Sequence, residues 1–107
     1  MKAGETAAKV IRHALSLIPD ESRWAGSMDA QNEKGNFCSS TNPEAYKFGG
    51  YGSLMAACHH FYKESRFRSA AYSSTLDFIE HRVGRKIDIN KLDHVSTVRL
   101  FEQALGQ

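Results

Sequence analysis

No long, uninterrupted apolar stretch occurs in these 107 residues. Polar side chains break every hydrophobic run well short of the ~20 residues a membrane-spanning helix needs. The opening Met1-Lys2-Ala3-Gly4-Glu5 also lacks the apolar core of a secretion signal. Cysteine is scarce. Cys38 and Cys58 show no Cys-x-x-Cys spacing, which fits reduced thiols in a soluble cytoplasmic protein and leaves a Cys38–Cys58 bridge as the unsupported alternative. An excess of one charge is missing too: 14 Lys and Arg against 12 Asp and Glu leave a formal charge of +2. That balance argues against a membrane surface or a nucleic-acid polymer as the default partner. With 41% hydrophobic and 24% charged residues, the chain predicts one domain over 1–107 with a single modest core that requires neither a disulfide nor a metal.

What is present reads mainly as helix. Ala7, Ile11, Ala14 and Ile18 recur at helical spacing, with Val10, Leu15 and Leu17 widening the stripe. Thr6 is the expected N-cap, and Pro19 ends this first helix by about Leu17. Residues 22–42 hold Trp24 in polar surroundings and show no sustained period, so they predict a surface loop, with 36–41 as a short extended piece. Asn42, Pro43 and Glu44 have the chemistry of an N-cap, a first turn and a dipole-complementing carboxylate. A second helix is therefore expected from there to about Lys63, with Tyr51, Leu54, Met55, Cys58, Phe61 and Tyr62 on one face, at the centre of the fold.

Tyr72, Leu76, Ile79 and Val83 predict a third helix near Ser69–Val83, closed by Gly84. Ile87-Asp88-Ile89 suggests an extended connector or minor strand. Asp93 caps a last helix carrying Val95, Val98, Phe101 and Leu105, with Leu92 placed to pack back on its first turns. The expected fold is mainly α, a compact four-helix domain; a two-stranded ribbon from 36–41 and 86–90 is the variant.

Glycines 49, 50 and 52 are the most unusual feature, because three glycines in a helix carry a cost of about 0.5–1 kcal/mol each relative to alanine. Close helix crossing or a turn is the favoured explanation. The functional one is a backbone cradle for phosphate or carboxylate at Gly49 and Gly50, with Lys47, Tyr51 and Ser53 as side-chain partners. Neither a Walker loop nor a strand-borne Gly-x-Gly-x-x-Gly is present.

His59 and His60 are adjacent on a helix and point about 100° apart, so they do not jointly face one metal ion. A structural or surface role is favoured over a ligand-binding or catalytic one. Asp77 and His81 make an i, i+4 pair, better read as exposed than as base chemistry. Arg66 and Arg68, in a basic and aromatic run between Tyr62 and Tyr72, suit phosphate contact, although Glu64 and Glu80 dilute the field. Trp24 is a core anchor or a stacking platform for a planar ligand.

The order Arg23-Trp24, Gly35, Pro43-x-Ala45-Tyr46, Gly52-Ser53-Leu54 with Ala56-Ala57, then Asn90 and a closing helix with Val98, resembles a family of small bacterial and phage proteins known as a domain of unknown function. In that family an aromatic residue and a cysteine often precede Gly-Ala-Leu, and Trp-Asn-Asp precedes the last helix. Here Ser53 stands in for the alanine and Ile89-Asn90-Lys91 for Trp-Asn-Asp. The resemblance implies a one-domain, mostly helical fold and supplies no activity.

Together these features lead to a non-enzymatic binding protein for a small anionic, nucleotide-like ligand, with no cofactor, metal or catalytic set expected. For a phage protein, sequestering a host signalling nucleotide is the analogous use. The alternatives are a protein-interaction or homo-oligomerisation module, resting on the apolar faces of the first two helices, and a small hydrolase or transferase using His59, His60 or His81.

Overall fold

The computed structural model describes residues 3–106. Helix α1 spans Ala3–Leu17, α2 Gly50–Phe61, α3 Ser65–Val83 and α4 His94–Leu105. Between α1 and α2 lie a 3-10 turn at Glu21–Arg23 and strands β1 Ala30–Gln31, β2 Phe37–Cys38 and β3 Lys47–Phe48; a second 3-10 turn, Ile89–Lys91, precedes α4. The chain thus forms a compact, mainly helical domain of four helices with a small three-stranded antiparallel sheet. None of the described helices is long and apolar enough to cross a membrane.

The apolar stripe of α1 does what its period predicts. Ala7, Val10, Ile11, Ala14 and Ile18 are all buried, and α1 packs against each of the other three helices. It therefore takes the central place expected of the second helix, which packs chiefly on α1 and α3. Nor does α1 wait for Thr6. It is already helical at Ala3, and Gly4 packs there against Phe78 of α3, within ordinary contact for an added Cβ at 3.5 Å. From the other helices, Leu54, Ala57, Cys58, Ile79, Leu100, Phe101 and Ala104 complete the core.

The start of α2 is the largest departure from expectation. Asn42 caps a turn, not a helix: its Oδ1 accepts from the Glu44 N–H at 2.8 Å, and its carbonyl accepts from the Ala45 N–H at 2.9 Å. An Asn-Pro pair suits a β-turn as well as a helix start, because the side-chain oxygen reaches the same nearby N–H in both. The chain then enters β3, and the helix begins only after Gly49 in extended geometry.

Strand β1 is the middle strand, pairing Ala30 with Cys38 and Gln31 with Phe37 on one side, and Ala30 with Phe48 and Gln31 with Lys47 on the other. The region expected to be loop is thus mostly turns and irregular backbone, with β1 and β2 set into it and β2 inside the expected extended piece. Asn32 closes the β1–β2 hairpin by accepting from the Lys34 and Asn36 N–H groups, each at 3.0 Å, with Gly35 at φ 84°. Residues 86–90 do not join this sheet. They lead into the second 3-10 turn, which buries Ile89.

Helix α3 begins one turn before the expected Ser69, with Glu64 as its cap residue and the Arg68 N–H donating to the Glu64 carbonyl at 2.9 Å. Its first turn is exposed, which is why no apolar period marks it. Gly84 ends the helix in the left-handed region at φ 76°, and Asp93 caps α4 through the Ser96 N–H at 2.8 Å, both as expected. One long-range clasp fastens the ends. His94 Nε2 donates to the Ile18 carbonyl at 2.9 Å across 76 positions of chain, and its Nδ1 lies 3.1 Å from the Glu21 carboxylate.

Candidate functional site

The glycine cluster is filled by the protein's own backbone. A Cβ at Gly52 would stand 1.7 Å from the Asp29 carbonyl oxygen, and one at Gly49 would stand 2.3 Å from the Met28 oxygen and 2.5 Å from the Gly26 oxygen. At Gly50 the obstacle is the Ile89 side chain, 2.8 Å away. Missing side chains thus let the 26–29 segment lie against the first turn of α2. The Gly49 N–H donates to the Asp29 carbonyl at 3.1 Å, and the fully buried Ser53 Oγ donates to the Gly50 carbonyl at 2.8 Å.

The other candidates lie around this same end of α2. Lys47 lies in β3, and Tyr51 meets Tyr72 edge to face at 5.2 Å. Burial, reinforced by Tyr51, pushes the Tyr72 phenol up to about 12. Trp24 is half-buried beside the core, 5.4 Å from the His94 ring and bridged to Phe48, in keeping with an anchor. Its neighbour Arg23 reaches the Tyr46 carbonyl at 2.7 Å and stacks on the Tyr46 ring at 3.9 Å, tying the turn before the sheet to the connection between β2 and β3.

A different arrangement occupies the carboxyl end of α2. His60 stacks on His13 of α1 with centroids 4.1 Å apart and planes 10° from parallel, and the edge of Phe61 meets both rings. Beside this stack is a cleft of about 290 Å³ bordered by His13, His59, His60 and Lys63. Leu17 and Ala56 supply apolar wall, and the 40–43 segment contributes Ser40, Thr41, Asn42 and Pro43. Among the described residues, no carboxylate lines it. The lining combines donors and cations with a small apolar surface, near the lower limit of ligand sites, which run from about 300 to 1,000 Å³.

Arg68 braces the cleft from α3. Its Nη1 donates to His59 Nδ1 at 2.8 Å and to the Lys63 carbonyl at 3.2 Å. Because guanidinium has no acceptor, His59 Nδ1 must accept and the ring proton resides on Nε2. Burial, and then the Lys63 and Arg68 charges, hold the His59 imidazole below its ordinary value. Burial also lowers His13, with the His60 ring adding to the effect. The free protein therefore favours uncharged imidazoles at these two positions.

The structure brings together His59, His60 and Arg68 from the sequence candidates and adds His13, Lys63 and the 40–43 segment. Arg66 points elsewhere: it is exposed, 3.5 Å from the Glu64 carboxylate and over the Phe67 ring. Asp77 and His81 are exposed on α3. Cys38 and Cys58 are unbridged, and burial pushes the Cys58 thiol up to about 11, so it is not a ready nucleophile. Among the described residues, no three His, Cys, Asp or Glu side chains are grouped to hold a metal ion.

A wider depression of about 830 Å³ lies between the β1–β2 hairpin and residues 43–46. Its polar groups largely serve the turns: Asn32 is committed to the hairpin, and Glu33 and Glu44 oppose an anion. The histidine cleft is therefore the better candidate. The signal that could have revealed His13 is its i, i+4 relation to Leu17, beside the buried stripe of α1. Comparison with protein-family models, curated proteins and solved structures finds no match.

Proposed function

We propose that this chain is a non-enzymatic binding protein that captures a small anionic, nucleotide-like ligand in the cleft between α1 and the carboxyl end of α2. The supporting observation is the stacked His13–His60 pair beside Lys63 and the Arg68-braced His59, in a lining without a carboxylate. Such a set offers several N–H donors and no carboxylate to oppose the charge of a ligand oxygen. The same lack of a carboxylate leaves an imidazole without the acidic partner that would orient it as a general base, which disfavours the histidine-hydrolase alternative.

The interaction-module alternative loses part of its motive, because the apolar face of α1 is used inside the fold. The free thiols fit action in a reducing, cytoplasmic setting. The resemblance to small phage and bacterial proteins makes sequestration of a host nucleotide the biological use to examine first.

Native mass spectrometry and thermal-shift measurements with nucleoside monophosphates and sugar phosphates test this reading. A retained mass of a few hundred daltons, or a raised melting temperature that His60→Ala abolishes, is expected. Phosphate-bearing ligands that neither bind nor raise the melting temperature would sink it.

A further inference from the structure

Resting on this capture reading, we infer that the cleft takes a phosphate monoester as its dianion and that binding draws a proton from solvent onto the stacked His13–His60 pair. The geometry of the stack is the reason. Two imidazolium rings 4.1 Å apart and nearly parallel oppose each other, whereas a neutral pair, or one sharing a single proton, does not. In the free protein the surroundings add to this opposition. Lys9 on α1 sits over the Phe61 ring at 4.9 Å, Lys63 borders the cleft, and Arg68 from α3 bonds to His59. The 40–43 segment, which borders the same cleft, carries no titratable side chain to offset these charges.

A doubly charged ligand reverses the balance. Beside the stack it would be attracted to each added proton, so protonation of the pair and binding of the dianion favour each other. A phosphate monoester suits the donor set better than a carboxylate does, because its terminal oxygens can accept from several of His13, His60, the His59 Nε2–H and Lys63. Its own second ionisation, near pH 6, then limits the effect. Affinity should rise as pH falls from about 8 toward 6.5 and decline below about 6, as the ligand itself becomes a monoanion. A phosphodiester, which has no second ionisation, should bind weakly at every pH.

Isothermal titration calorimetry of the full chain with ribose 5-phosphate and with inorganic phosphate, in two buffers of different ionisation enthalpy at pH 7, measures the protons taken up. Net uptake of a substantial fraction of a proton is expected for ribose 5-phosphate. Inorganic phosphate, whose second ionisation falls close to neutral pH, gives up part of its own proton on binding as the dianion and should show a smaller net uptake, while tighter binding of the sugar phosphate would identify an esterified phosphate as the natural source. His60→Gln, which alters an exposed ring, should diminish the uptake and weaken binding about tenfold or more, the scale of a lost charge-assisted hydrogen bond, and adding His13→Gln should abolish the uptake, because His13 can otherwise take the proton alone. Lys63→Gln should weaken binding yet retain uptake. Binding of ribose 5-phosphate with no proton uptake, or uptake undiminished in the double variant, would overturn proton linkage while leaving anion capture standing. No binding of either probe, with the melting temperature of the protein unchanged, would overturn both.

Discussion

The two ends of helix α2 present opposite uses of unusual sequence. At its amino end, Gly49 and Gly52 admit the 26–29 backbone so closely that carbonyl oxygens occupy the space where side chains would be, and Gly50 makes room for Ile89. At its carboxyl end, two consecutive histidines beside His13 and Lys63 border an open cleft. The closed end binds the protein to itself, and the open end has polar capacity left over. Rarity of composition marks both ends, so only the identity of what fills the neighbouring space tells a packing device from a candidate site.

The sharpest way to break this contrast is to add a methyl group at the closed end. Gly52→Ala should cost about 3 kcal/mol or more in urea denaturation, because the obstacle is backbone and cannot swing away. Gly50→Ala should cost about 1 kcal/mol, since the Ile89 side chain can shift. Near-native stability of Gly52→Ala would show that the 26–29 segment does not press on the helix. At the open end, His60→Ala should change stability by less than about 0.5 kcal/mol while removing anion binding. A larger loss would make the imidazole stack a structural brace.

A pH series sharpens the same contrast with the smallest effect. Both His13 and His59 are held below the ordinary imidazole value of 6.5, so the folded chain takes up fewer protons there than the unfolded chain. Their contribution to stability is complete above pH 6.5 and fades as pH falls through the lowered folded values. Denaturation midpoints between pH 7.5 and 5.5 should fall more steeply for the native sequence than for His13→Gln. Parallel curves would show that His13 does not carry this linkage.

Much of the helical framework was legible. Ala7, Ile11, Ala14 and Ile18 announced their buried face, Gly84 its left-handed stop and Asp93 its cap, because each signal acts within a few residues of the structure it specifies. Asn42-Pro43 misled because one local hydrogen-bond pattern serves two kinds of turn. Of the strands, β2 falls inside the 36–41 stretch expected to be extended, whereas β1 and β3 escaped notice since each has only two residues, too few to show alternation. At the candidate site His59, His60 and Arg68 were visible as chemistry, but their convergence with His13 was not.

Sequence by itself determined a mainly helical chain with a buried α1 face and marked helix stops, since periodicity and capping are local properties. Tertiary structure alone decided that the glycines would face carbonyls instead of a ligand, that Ile18 would be held by His94, and that His13 would stack on His60. Those outcomes depend on surfaces brought together across long stretches of chain, where packing and the need to satisfy buried polar groups select the partner.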